Sequence, residues 1–192
     1  MIRRKLKVWA LTIIGMPLLL LMPLVKRSMN KLDAQIENEP ESVPDHLRNY
    51  HYFIKLDEKA YHALKGGNLA KARQLAGELL ELANDYRDDW NYGNALHHAN
   101  TILGLVAVKE GRLKEAVTHL QKSADTPGSP QLDSCGPSTC LAMELLLKGK
   151  DDEVIKYLKS VDSFWDAGYK LIPGWVEDIR SGEIPEKWQR FI

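Results

Sequence analysis

The residues whose types permit covalent or metal chemistry are few, and their spacing limits what they do. Cys135 and Cys140 form a Cys-x4-Cys pair across a loop-to-helix junction. In an oxidising compartment such a pair forms a structural disulfide or stays as two separate thiols, with a redox role a lesser third reading. The spacing is not that of a Cys-x-x-Cys oxidoreductase, and no second ligand pair accompanies it to hold zinc. His97-His98, with Asp88-Asp89 upstream, has the right residue types for a metal site. Adjacent histidines on a helix point to different faces, however, so no shared ion is expected. No Gly-x-Ser-x-Gly elbow, phosphate-binding glycine loop or His-Glu-x-x-His helix is present. The expectation is therefore a protein with no catalytic residue, no metal and no cofactor.

The chain that must position these groups has 192 residues and a mass of 21.8 kDa, room for one folded domain and a short extra segment. Its 44% hydrophobic and 27% charged residues suit a buried core rather than a disordered chain. The formal charge is +0, but Arg3, Arg4, Lys5, Lys7, Lys26 and Arg27 lie in the first 27 residues, which hold no acid. The rest of the chain keeps 20 basic against 26 acidic residues. That acidic bulk argues against nucleic acid as a partner, since affinity for a polyphosphate comes chiefly from clustered Lys and Arg.

Residues 8–25 carry no charge and are bracketed by cations. At about 1.5 Å per residue the run reaches roughly 27 Å, enough to cross a thin bilayer as one helix. The Val25-Lys26-Arg27-Ser28-Met29-Asn30 stretch offers no small-x-small pair for cleavage, so an uncleaved anchor is favoured over a removed signal peptide. More cations precede the run than follow it, which places the N-terminus in the cytosol and the acidic domain in the periplasm or otherwise outside the cytosol. Residues 28–49, with Pro40 and Pro44, read as a polar, semi-rigid linker in which Lys31 to Glu39 can continue as a short helix.

From Tyr50 onward the pattern is helical and repeats. Lys65-Gly66-Gly67-Asn68-Leu69-Ala70-Lys71-Ala72 aligns with Lys109-Glu110-Gly111-Arg112-Leu113-Lys114-Glu115-Ala116 and with Lys148-Gly149-Lys150-Asp151-Asp152-Glu153-Val154. Each segment is a helix end, a glycine turn and a second helix whose fifth residue after the glycine is small or β-branched. Gly67, Gly111 and Gly149 sit where a helix stops and reverses, a place for a residue that accepts positive φ. Such hairpins bury their apolar faces by stacking. Between the second and third lies residues 126–137, rich in Pro and Gly and read as a loop, after which Ser134 or Gly136 caps a helix with Pro137 in its first turn. After Trp165, Gly168 and Pro173-Gly174 break the pattern before a short helix in which Trp175 and Ile179 cover the open end of the last hairpin, with Trp188 and Phe191 tucked in.

These residues resemble the tetratricopeptide repeat family over roughly residues 50–165. The middle unit fits best: Leu103-Gly104, Ala107 in the usual aromatic place, Gly111 at the turn, Ala116 at the small position and Leu120 at the large apolar one. Ala60, Gly67, Ala72 and Ala76 fit the same frame, as do Ala142, Gly149, Val154 and Leu158. The turn glycines stand 44 and 38 residues apart, longer than the family's 34, and only Pro127 approximates its closing proline. The block from the loop through Phe164-Trp165 is also similar to a segment of bacterial repeat proteins with no assigned activity. With the apolar run, the linker and the C-terminal pattern, the expectation is an all-α chain: one transmembrane helix (1–27), a linker (28–49), a TPR-like α-solenoid of about three hairpins (50–174) and a C-terminal cap (175–192).

The same resemblance implies a concave surface that binds a protein or peptide partner. Carried over residue by residue, it comprises Ile54, Asp57, Tyr61 and Lys65, then His98, Thr101, Leu105 and Lys109, then Thr139, Met143 and Leu147. The positions that clamp a terminal carboxylate in chaperone-binding relatives hold Asp57, Tyr61, Ile102, Gly136 and Cys140 here, which rejects that specialised role. Two functions follow. An anchored scaffold gathering a partner at the membrane requires Tyr61, His98 and Lys109 to face solvent. A structural or self-associating module, its groove filled by its own C-terminal segment or another copy, requires Trp175, Trp188 and Phe191 to be buried against the repeats.

Overall fold

The computed structural model describes residues 18–186 and 188, and among them every regular element is a helix. The chain divides into two compact units, residues 1–50 and 51–192. In the first, α1 (Leu18–Asn38) is followed by a 3-10 turn (Pro40–Ser42) with Pro40 in its first position, and Arg48 pairs with Asp45. Within the expected linker, the helix read for residues 31–39 starts earlier and ends at Asn38, because nothing between Ser28 and Asn38 breaks a helix and Pro40 stops it. Of the apolar run 8–25, residues 8–17 lie outside the described residues and the remainder opens α1. No helix among the described residues is long and apolar enough to cross a membrane.

The second unit starts within α2 (Asp45–Lys65), which leads to α3 (Leu69–Ala83) and a 3-10 turn (Asn84–Tyr86). There follow α4 (Tyr92–Lys109), α5 (Leu113–Ala124), α6 (Pro130–Cys135), α7 (Cys140–Leu146), α8 (Asp151–Val161) and α9 (Gly168–Arg180). Helices α2–α3, α4–α5 and α7–α8 are the three expected hairpins, and their turns are one structure built three times. The N–H of Asn68 bonds to the Ala63 carbonyl, that of Arg112 to Ala107 and that of Lys150 to Leu145 at 2.9, 2.8 and 3.0 Å. The preceding glycine N–H reaches the carbonyl three residues back each time, completing a Schellman motif with Gly67, Gly111 and Gly149 at φ 78, 76 and 69°. A Cβ on Gly111 would meet nothing within 4 Å, so only the left-handed backbone disfavours a side chain there. Gly111→Ala is expected to cost about 1 kcal/mol, read as a lower urea midpoint at an unchanged slope.

The flanking positions repeat as well. Ala60, Gly104 and Ala142, each seven residues before its turn glycine, are buried, as are Ala72, Ala116 and Val154, five after it. Small residues there let the two helices of a hairpin close on each other, and at Gly104 a Cβ would lie 2.2 Å from Leu141 Cδ2 of the next hairpin. Helix α4 is the hub. It packs on α3, α5, α6 and α7, and 13 of its 18 residues are buried. Tyr52 of α2 donates to Glu78 Oε1 of α3 at 2.7 Å, and Phe53 stacks on Tyr86 at 4.4 Å.

Two expectations about the later elements are corrected. Residues 126–137 contain a helix: Ser129 caps it by accepting from the Leu132 N–H at 2.9 Å, Pro130 fills the first position, and α7 then begins at Cys140. Pro173-Gly174 does not separate a cap either. One 13-residue helix, α9, runs through Pro173, and the 174/175 boundary falls inside it. The proline removes one backbone bond, but Gly168, Ile172, Trp175 and Ile179 form a buried stripe that keeps the helix on α8. Trp175 lies between Trp165 (5.4 Å) and Trp188 (6.0 Å), and both Trp175 and Trp188 are 7% exposed. Phe191 lies outside the described residues.

Candidate functional site

The surface expected to bind a partner separates into an occupied part and an open part. His98 is only 7% exposed: its Nδ1–H donates to Asp57 Oδ2 at 2.8 Å, tying α4 to α2. The expectation that His98 faces solvent is therefore corrected, because a half-buried carboxylate on the neighbouring hairpin draws the ring inward. Thr101 is also buried, its hydroxyl donating to the His97 carbonyl at 2.8 Å within its own helix, and Leu105 is buried beside it. Thr139 is buried at the entry to α7.

What remains open lies toward the ends of the first helices. Tyr61 is half-buried with Lys65 Nζ 5.5 Å from its ring centre, a cation–π contact. Lys65 and Lys109 are exposed at equivalent positions of the first two hairpins, each two residues before the turn glycine. The third hairpin has Leu147 at this place, 60% exposed, with Met143 half-buried one turn earlier. Nearby, Arg73 of α3 and Arg112 both bind the Glu110 carboxylate, and these hydrogen bonds hold Glu110 below the usual carboxylate range. Arg112 also pairs with Glu115.

Behind this surface is a buried polar clamp that spacing does not reveal. His97 is fully buried, and its ring is fixed at both nitrogens: Nδ1–H donates to the Ser123 carbonyl of α5 at 2.8 Å, and Nε2 accepts from the Ser138 N–H at 2.9 Å. The Ser138 carbonyl in turn accepts from Tyr157 Oη of α8 at 2.9 Å. One residue in the α6–α7 connection is thus held through both of its backbone groups by side chains from two other elements. Burial, helped by the adjacent His98 and opposed by the Ser123 bond, pushes the His97 pKa down to about 3, and burial raises that of Tyr157. His97 is accordingly neutral and structural. The histidine doublet was legible as a candidate; its split into one clamp and one inter-hairpin tie depends on contacts more than twenty residues away.

Cys135 closes α6 in an exposed position and Cys140 opens α7 half-buried, both as thiols. An open cleft of about 490 Å³ lies between α4 and the end of α5, bounded by Tyr92, Leu96, Lys122, Asp125 and Pro127. Among the described residues no three His, Cys, Asp or Glu side chains gather as metal ligands. Compared with known proteins, the chain matches no family model, no curated protein and no solved structure.

Proposed function

We propose that this chain is a membrane-tethered, non-catalytic scaffold, TPR-like in its frame, which presents the ends of its first helices to a protein or peptide partner outside the cytosol. The observation that carries the reading is the repetition of one turn geometry at Gly67, Gly111 and Gly149, the modular regularity on which a docking array would be built. The receptive part is the strip of Tyr61, Lys65, Lys109, Met143 and Leu147, with Asp57, His98, Thr101 and Leu105 as its support. Two cations one hairpin apart suit an acidic segment, and the exposed Leu147 beyond them suits an apolar side chain.

Photo-crosslinking residues placed at 61, 65 and 109 in cells are expected to trap one discrete species that positions 114 and 156, on exposed second helices, do not. Lys65→Glu with Lys109→Glu is expected to lower that yield by about tenfold while leaving the unfolding midpoint nearly unchanged. Equal labelling from all five positions would overturn the reading. A second reading, a structural or self-associating module, draws on the burial of Trp175 and Trp188, which makes the C-terminal segment part of the folded array.

A further inference from the structure

Helix α9 ends as the first helix of each hairpin does. The Gly182 N–H bonds to the Ile179 carbonyl and the Glu183 N–H to Asp178 at 3.0 and 2.8 Å, with Gly182 at φ 83°. It stands 33 residues after Gly149, a shorter interval than the 44 and 38 between the earlier turns, and residues 183–186 form no second helix. Among the described residues α9 packs chiefly on α8, and no helix follows it to cover its outer face.

That face is unlike the other ends of the molecule. Tyr169 and Leu171 on its two sides, at 65 and 38%, and Ile184 beyond the helix, at 44%, are three of the six large apolar residues exposed among the described residues. The line directly opposite the buried stripe runs Lys170, Pro173, Gly174, Glu177, all exposed. Seven residues return a helix to nearly the same face, so Lys170 and Glu177 lie on one line with the Pro173–Gly174 bond midway between them. Neither charge has an ion-pair partner among the described residues, and a Cβ on Gly174 would meet nothing within 4 Å. Lys170 Nζ rests 5.3 Å from the Tyr169 ring centre, which keeps its charge at this face.

We propose that this face docks a second copy of the same chain, with the two α9 helices antiparallel and crossing at the Pro173–Gly174 bond. A two-fold axis there sets each Lys170 against the other copy's Glu177, the one arrangement in which this line satisfies itself, and the missing Cβ lets the helices approach closely. Tyr169 and Leu171 flank the crossing and lose solvent on both sides. This goes beyond the partner strip, whose residues are different, so either idea can fail while the other stands.

The test uses the full chain with Cys135→Ser and Cys140→Ser, adding Gly174→Cys and mild oxidation. A residue beside a two-fold axis lies close to its own copy, so the thiol introduced at position 174 is expected to form covalent dimers. Lys170→Glu or Glu177→Lys alone is expected to slow that crosslink by about tenfold, and both together to restore it. Absence of the crosslink, or a crosslink indifferent to the reversals, would overturn the proposal; a dimer held elsewhere gives no bond between the two copies of position 174. If Gly174→Cys lowers helical content, a mixture of Lys170→Cys chains with Glu177→Cys chains serves instead. The mixture is expected to crosslink more than either chain alone, and equal yields would sink the antiparallel arrangement.

Discussion

Gly136→Ala is expected to destabilise the fold by about 4 kcal/mol. Two effects combine. Gly136 sits at φ 86, ψ 169, a region essentially confined to glycine. An added Cβ would also lie 2.6 to 2.8 Å from three ring atoms of Trp165. The indole cannot give way easily, since it is 5% exposed and packs on Trp175 at 5.4 Å. Urea unfolding followed by tryptophan emission measures the loss, with Gly111→Ala as the control for positive φ in open space. A loss no larger than the control's would mean that Trp165 does not press on this turn.

Replacing His97 is expected to do comparable damage by a different route. His97→Leu keeps much of the volume but leaves the Ser123 carbonyl and the Ser138 N–H buried without partners, a loss of about 4 kcal/mol. The wild type carries a pH signature of the same contact. With a folded pKa near 3 against an ordinary value near 6.5, His97 takes up a proton on unfolding between those limits. Its stabilising contribution is complete above about pH 6.5 and declines by about 1 kcal/mol per pH unit as the solution is acidified toward pH 3. His119, half-buried and also shifted downward by desolvation, adds to the slope with the same sign. Denaturation midpoints between pH 7 and 5, above most carboxylate titrations, isolate the histidine part. His97→Gln should flatten most of it; an unchanged slope would refute the assignment.

The parts of this fold legible in the sequence were those set by local backbone demands. Gly67, Gly111 and Gly149 announced their turns because a Schellman end needs a left-handed residue, and all three are left-handed. The small residues at Ala72, Ala116 and Ala142 followed from close helix approach and are fully buried. Helix α6 was hidden by the Pro and Gly around it, although Ser129-Pro130 is a cap followed by a first-turn proline. Pro173 was weighed as a breaker because its cost is local, whereas the burial of Ile172, Trp175 and Ile179 that outweighs it is tertiary. The partner strip was read least well. Periodicity assigns His98, Thr101 and Leu105 to one side of a helix but does not say whether water or the next hairpin lies there. One sign was present: α4 has a single charged residue, Lys109, in 18 positions, the composition of a helix surrounded by protein.

The central place of that nearly chargeless helix bears on how the second unit comes apart. Simple tandem arrays lose terminal modules one at a time, but here shedding either flank bares an apolar rod that water does not tolerate. Melting should be concerted, and any partly opened form should be the species that clumps during refolding.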